Sequence, residues 1–98
     1  MTVTKKIEGN LATIALEGRL DTTTAPDLEK EIASLSDDVK KIVFDFVKLE
    51  YISSAGLRVL LSTHKEFSKR EGMTVTNVSS TIMEVFDLTG FGDILDIK

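Results

Sequence analysis

Apolar and polar residues alternate at the start of the chain in a pattern that predicts a β-hairpin. Residues 2–8 alternate around Val3, and residues 11–16 place an apolar side chain at every even position. The Gly9-Asn10 pair between them is typical of a two-residue hairpin turn. We expect the Val3 face to point inward. Because the second strand is apolar on both faces, we expect it to lie deeper in the sheet than the first.

The next pattern is an apolar residue every three or four positions across residues 25–35, which predicts an amphipathic helix. Thr24, followed three residues later by Asp27, resembles a capping box that would begin this helix. Residues 17–24 are mostly polar, so a loop is predicted there, interrupted by Leu20. Two roles fit this leucine: a surface contact for another protein, or a plug at the edge of the core.

A near-continuous apolar run, residues 42–47, predicts a strand at the centre of the sheet. A bend is predicted at residues 48–50, and it leads into a turn at Ser53-Ser54. The helix that follows has apolar positions spaced three or four residues apart, and they are Leu57, Leu60, Leu61, His64 and Phe67. The middle of the chain is therefore predicted to be a strand–turn–helix unit with two hydroxyl side chains at the turn.

Ser54 is predicted to be the N-cap of this helix, with its side-chain oxygen accepting from a free backbone N–H group of the first turn. The first turn of a helix carries unpaired N–H groups and partial positive charge. A phosphate on a serine there would therefore meet a suitable environment. A plain cap is the alternative role of Ser54. The helix is predicted to end near residues 70–72, where Gly72 fits a left-handed C-cap.

The rest of the chain predicts a strand, a helix and a short last strand. Residues 73–78 alternate, and the hydroxyl residues 79–81 begin a helix that ends at Gly90, with Leu88 among its inward positions. The last strand is predicted at residues 94–97. The element order is β-β-α-β-α-β-α-β, which predicts one α/β domain over residues 1–98. Its mixed sheet would have right-handed parallel crossovers after the first hairpin.

Composition and charge exclude several classes of function. Hydrophobic residues make up 42% and charged residues 29% of the chain, which is typical of soluble globular proteins. The net charge of −4 argues against binding to nucleic acid or to an anionic membrane surface. With no cysteine and one histidine, no disulfide, metal site or cofactor is expected. No apolar run approaches the about 20 residues that span a bilayer, and no signal peptide is found, so a cytoplasmic protein is predicted.

A catalytic role for the serines is not predicted. The nucleophile-elbow pattern requires glycine two residues before the serine, and Ile52 occupies that position before Ser54. The one histidine, His64, belongs to the apolar face of the helix about three turns further on, at the expected edge of the core. The two common glycine-rich phosphate-binding motifs, G-x-x-x-x-G-K and G-x-G-x-x-G, are both absent from the chain. The sequence therefore indicates a binding protein and not an enzyme.

Three segments, in this order, resemble the STAS domain, and most closely the bacterial anti-sigma factor antagonists. They are residues 18–21 (GRLD), residues 42–61, which contain YISSAGL at 51–57, and residues 86–91 (FDLTGF). The resemblance implies a STAS-type mixed β-sheet over nearly the whole chain. It also implies the function of an anti-sigma factor antagonist.

In that family, the serine that corresponds to Ser54 is the regulated phosphorylation site. The resemblance implies that an anti-sigma factor serine kinase phosphorylates Ser54 and that a serine phosphatase reverses this. The unphosphorylated antagonist would bind the kinase and so free the sigma factor. The resemblance also implies a monomer or weak dimer. The partner surface is predicted to include Leu20, Asp21, Thr22, Thr23, Ser54, Leu57 and Arg58.

Two departures from the family pattern leave alternatives open. Ser53 stands where the family often has aspartate, which makes Ser53 a second candidate phosphate acceptor. Ala55 replaces a hydroxyl residue. The alternative function is that of a STAS subunit that docks on a transport ATPase complex without phosphorylation.

Overall fold

The computed structural model describes all 98 residues as five strands, three α-helices and one 3-10 turn. The strands are β1 (Thr2–Glu8), β2 (Leu11–Leu20), β3 (Lys41–Ile52), β4 (Gly72–Thr76) and β5 (Asp96–Ile97). The helices are α1 (Ala25–Ala33), α2 (Ser54–Phe67) and α3 (Ser80–Thr89), and the 3-10 turn covers Phe91–Asp93. The predicted α/β element order is confirmed. None of the helices combines the length and the apolar content that crossing a bilayer requires.

The five strands form one mixed sheet in the order β1-β2-β3-β4-β5. β1 pairs antiparallel with β2 through the predicted Gly9-Asn10 turn, and the other three pairings are parallel. β3 is therefore the central strand, as its apolar run predicts. Because β2 and β3 are parallel, their carboxyl ends and the loops that follow lie at the same end of the sheet.

One face of the sheet carries the core. Ile14, Phe44 and Val75 are fully buried on it and are aligned across three neighbouring strands. The helices cover this face, and the ring centre of Phe46 in β3 lies 6.5 Å from that of Phe86 in α3. Helices α1 and α2 contribute further side chains to the same cluster of 21 buried apolar residues. The sheet is thus held by helices on a single face.

The two strands that lead to the middle of the chain are longer than the sequence predicts. β2 continues through residues 17–20, where a polar loop is predicted, and β3 continues through residues 48–50, where a bend is predicted. The two extensions pair with each other, with register shifts after Ala15 and after Gly18. Each extension supplies the hydrogen-bonding partners of the other. The pattern of apolar and polar residues within either segment does not indicate this pairing.

Two helices are shorter than predicted. α1 ends at Ala33 instead of residue 35, and α2 ends at Phe67 instead of residues 70–72. Gly72 has the predicted left-handed backbone, with φ of +98°, but it begins β4 and does not cap α2. Turns at residues 68–71 lie between the helix and this glycine. Its φ therefore reverses the chain into the next strand.

α3 ends at Gly90 as predicted, with φ of +83°. Its buried residues are Ile82 and Phe86, whereas Leu88 is 87% exposed. The inward position predicted for Leu88 is wrong, because two residues beyond Phe86 is about 200° around the helix. A single helix covering one side of a sheet cannot bury both positions.

Candidate functional site

The carboxyl ends of β2 and β3 bring two distant segments of the chain together. In the parallel register, Leu20 is paired with Ile52, and the backbone N–H of Ser53 donates to the carbonyl of Leu20 at 2.9 Å. The loop of residues 21–24 therefore begins beside the residues that begin α2. Sequence patterns alone predict the two segments separately, and the strand pairing makes them one site.

Leu20 is fully buried against the first turn of α2. A Cβ atom placed on Gly56 would lie 2.6 Å from Cγ of Leu20, closer than real Cβ contacts come, so any larger residue at this helical position would force Leu20 to shift. Leu57, the next residue, is also buried, at 6% exposure. The predicted surface contacts through the side chains of Leu20 and Leu57 are therefore wrong, because both side chains belong to the core. Of the two roles predicted for Leu20, packing at the edge of the core is the one that the structure shows.

Asp21 organises the loop that follows Leu20. One of its carboxylate oxygens, Oδ1, accepts from the Thr23 hydroxyl at 2.8 Å, from the Thr23 N–H at 3.0 Å and from the Thr24 N–H at 3.2 Å. The hydrogen bond from the Thr23 hydroxyl, together with those from the backbone, lowers the pKa of Asp21 below its ordinary value of 3.8. The loop therefore presents a fixed negative charge at neutral pH.

Thr24 closes this loop and does not form the predicted capping box. Its hydroxyl accepts from the N–H of Asp21 at 2.8 Å and donates to the carbonyl of Arg19 at 2.8 Å, and it makes no cap bond to α1. The bonds between Asp21 and Thr24 run in both directions, which holds the loop in one shape. Thr22 and Thr23 are exposed on its outer side.

Arg19 and Tyr51 form a contact beside the loop that the sequence does not reveal. The Arg19 guanidinium carbon lies 4.1 Å from the centre of the Tyr51 ring, and Arg19 Nε lies 3.7 Å from Asp21 Oδ2. The two residues are register partners on β2 and β3. Because the register depends on the unpredicted extension of both strands, no signal in the sequence could identify this pair.

The two serines at the start of α2 have different roles. Ser53 is the N-cap, with extended backbone (φ −100°, ψ 176°), and its side-chain oxygen accepts from the Gly56 N–H at 3.4 Å. Ser54 is the first helical residue, and its hydroxyl is exposed and makes no hydrogen bond within the protein. The cap predicted at Ser54 is therefore wrong by one residue. Strand pairing holds Ser53 in extended geometry, which leaves Ser54 as the free hydroxyl.

Arg58 and His64 lie further along α2. Arg58 is exposed, one turn after Ser54, and it lines a groove of about 230 Å³ between α1 and α2 together with Glu29 and Glu66. His64 is half-buried, about 15 Å from Ser54 along the helix axis. It is too distant to act as a base on the Ser54 hydroxyl. Of the predicted site residues, the exposed ones at this end of the sheet are thus Thr22, Thr23, Ser54 and Arg58, with Asp21 half-buried beside them.

The model of one protein family, the STAS domain, matches residues 2–98 of the chain. BtrV of Bordetella bronchiseptica, provisionally named an anti-sigma factor antagonist, is 35% identical over 94 residues, which cover 94% of this chain and 80% of BtrV. The anti-sigma-B factor antagonist of Bacillus subtilis is 29% identical over 86 residues, covering 87% of this chain and 79% of that protein.

The fold is that of solved structures of the Bacillus anti-sigma factor antagonist SpoIIAA. The unphosphorylated form has a TM-score of 0.84 and 22% identity, and the match covers 99% of this chain and 88% of that one. The phosphorylated form has a TM-score of 0.77 at the same identity, covering 99% of this chain and 91% of that one. The resemblance noted in the sequence is therefore confirmed: this chain belongs to the STAS domain family, among the anti-sigma factor antagonists.

Proposed function

We propose that this protein binds a cognate anti-sigma factor serine kinase and that phosphorylation of Ser54 ends this binding. The observation that carries the proposal is the free, exposed hydroxyl of Ser54 at the same end of the sheet as the Asp21 loop, which begins where Leu20 accepts a hydrogen bond from Ser53. The protein contributes a binding surface and a phosphate acceptor, and the kinase contributes the catalysis. Its place of action is the cytoplasm, where sigma factors work.

The proposed binding surface is the exposed part of the candidate site. It consists of Asp21, Thr22 and Thr23 on the loop and of Ser54 and Arg58 on α2. Leu20 and Leu57 support this surface from below, since their side chains are buried. Substitutions of these two leucines would therefore change binding through the shape of the loop and helix and not through a lost contact.

The choice between the two serines follows from their hydrogen bonds. Transfer of phosphate to Ser53 would involve an oxygen that already caps α2, in a half-buried position. The Ser54 oxygen is free to attack the γ-phosphorus of ATP: a new P–O bond forms, the bond to the ADP oxygen breaks, and the hydroxyl proton is released. A serine phosphatase would restore the hydroxyl by hydrolysis to inorganic phosphate.

The physical basis of the switch is charge at the interface. A phosphate adds about −1.5 to −2 charges to Ser54 at neutral pH, at an end of the sheet that already carries the ionised carboxylate of Asp21. A partner surface that fits the neutral hydroxyl would face like-charge repulsion or incomplete desolvation, which can cost several kcal/mol. A loss of about 2.8 kcal/mol weakens binding a hundredfold. No change of the backbone is required.

The test is phosphorylation by the cognate kinase with ATP, followed by mass spectrometry of the modified residue. We expect a single phosphate on Ser54, no phosphate in Ser54→Ala, and full modification in Ser80→Ala. Ser80 is the matched control because it is also an exposed first residue of a helix after a capping serine. Full modification of Ser54→Ala would contradict the proposal. Stable capture of a transport ATPase by the unmodified protein, with no binding to the kinase, would support the alternative STAS subunit function.

A further inference from the structure

We propose that Arg58 is the internal counter-ion of a phosphate on Ser54, so that the modified serine and the arginine form an ion pair along one face of α2. The inference rests on the proposed function, because it takes Ser54 as the phosphorylated residue. It adds a specific residue to the switch and a second way in which phosphate would alter the partner surface.

The positions of Ser54 and Arg58 in one continuous helix bring their side chains together. Residues four apart are neighbours on a helix surface, with Cβ atoms about 5–6 Å apart. Helical side chains generally lean toward the N-terminus, so the Arg58 side chain, which lines the groove with Glu66, can also reach the turn that contains Ser54. An anion that precedes a cation by four residues is also the more favourable order. A guanidinium can bind phosphate oxygens in a bidentate manner.

Arg58 is the arginine of this chain that has no partner of its own. It takes part in none of the five ion pairs and is exposed. Arg19 lies over the Tyr51 ring, and Arg70 Nη1 donates to the carbonyl of Val39 at 2.8 Å. Arg58 can therefore turn to a new anion without breaking an existing interaction.

The same position in α3 has the opposite charge. Ser80 begins α3 as Ser54 begins α2, and the residue four positions after it is Glu84. A phosphate on Ser80 would face a carboxylate, and like charges at this spacing are destabilising. The arrangement of serine and arginine is thus a property of α2 and not of every helix that begins with two serines in this protein.

Several other charges surround the proposed pair. Glu29 of α1 and Glu66 of α2 line the same groove as Arg58, Asp21 belongs to the adjacent loop, and Arg19 lies beside Asp21. The three carboxylates oppose a phosphate dianion and raise its second pKa, whereas the two arginines favour the dianion and lower it. A test must therefore separate Arg58 from the general charge of this end of the protein.

The pair would change the partner surface in two ways. In the unmodified protein, Arg58 is available to a carboxylate of the partner. A phosphate on Ser54 adds negative charge and also holds Arg58 against its own helix, so that a positive contact is withdrawn. Partner binding would then respond to phosphate more strongly than the added charge alone predicts.

The experiment uses the full chain with phosphoserine incorporated at position 54 during translation, so that no kinase is needed. Phosphorus NMR follows the loss of the second phosphate proton, whose pKa is ordinarily about 6. We expect Arg58→Gln to raise the titration midpoint by about 0.2 to 0.4 pH unit, from the usual strength of such helical pairs. Lys65→Gln removes the same charge from an exposed position of the same helix, about 16 Å from Ser54 along the helix axis, and should leave the midpoint unchanged.

A second chain with phosphoserine at position 80 completes the design. Its midpoint should not respond to Arg58→Gln. Equal midpoints for Arg58→Gln and the unsubstituted chain would overturn the proposal, and so would an equal rise in Lys65→Gln. These results are independent of the kinase assay: a chain that no kinase modifies would still show the ion pair, and an absent pair would leave Ser54 as the phosphate acceptor.

Discussion

The starts of α2 and α3 are closely similar in local structure and differ in their surroundings. Each begins with two consecutive serines, and in each the first serine is the N-cap: Ser53 accepts a hydrogen bond at 3.4 Å and Ser79 accepts one at 3.2 Å. The second serine of each pair, Ser54 or Ser80, is an exposed first helical residue. The local signals that begin a helix are therefore not what distinguishes the candidate site.

The difference lies three residues after each cap. In α2 this residue is Gly56, which allows Leu20 to pack against the first turn and so brings the Asp21 loop beside Ser54. In α3 it is Ile82, which fills its own place in the core. A helix start becomes a candidate binding surface here because a second segment of the chain is packed against it.

Replacement of Gly56 by alanine tests this packing and has the largest expected effect. Alanine normally stabilises a helix relative to glycine by up to about 1 kcal/mol. Here the new methyl group would meet Leu20, and we expect a loss of about 1 to 3 kcal/mol in the free energy of unfolding. Urea denaturation measures it. In a Leu20→Ala background the same substitution should cost less, because the two closest atoms, Cγ and Cδ2 of Leu20, are absent and only Ile52 Cγ1 remains, at 3.0 Å. An equal cost would show that the contact with Leu20 is not the cause.

Replacing the serines at the two helix starts by alanine should have a smaller effect on stability, which depends on whether the serine is the N-cap. Ser53→Ala and Ser79→Ala each remove an N-cap, and we expect each to lose about 1 kcal/mol of stability. Ser54→Ala and Ser80→Ala remove exposed hydroxyls that make no cap bond, and should change stability by less than about 0.5 kcal/mol. All four are compared by chemical denaturation at one pH. A larger loss of stability for Ser54→Ala than for Ser53→Ala would show that Ser54, and not Ser53, is the N-cap.

The Asp21 loop gives the smallest effect, confined to acid pH. The pKa of Asp21 is lower in the folded protein than its ordinary value of 3.8, chiefly through the Thr23 hydroxyl. Its contribution to stability is therefore complete above pH 3.8 and is lost as the pH falls through the lower, folded value. The free energy of unfolding, measured by chemical denaturation at successive pH values, should therefore fall at acid pH. We expect this fall to be smaller in Asp21→Asn.

Asp96 provides the comparison for this measurement. The Thr74 hydroxyl, at 2.7 Å, is the chief cause that lowers the pKa of Asp96, and the two aspartates share no hydrogen-bond partner. Asp96→Asn should flatten the acid decrease independently, and the double variant should show both effects in sum. An acid decrease that Asp21→Asn leaves unchanged would contradict the role given to the Asp21 loop.

The element types and their order could be predicted from the chain alone, because periodicity and turn residues are local properties. The hairpin at Gly9-Asn10, the central position of β3 and the end of α3 at Gly90 are all as predicted. The same local signals indicated that a serine pair begins α2, and the family resemblance drew attention to the same region of the chain.

Strand pairing decided the features that local patterns did not predict, which are the full length of β2 and β3 and the geometry of the residues that follow them. Among the last residues of β2 and β3, the buried Leu20, Leu49 and Ile52 are separated by mostly polar residues, and the two segments are strands because they pair with each other. That pairing buries Leu20, holds Ser53 extended as the cap and leaves the Ser54 hydroxyl free. The contacts of Arg19 with Tyr51 and of Leu20 with Gly56 join residues that are distant in sequence. Burial and register depend on what lies opposite a residue in space, and only the tertiary structure contains that information.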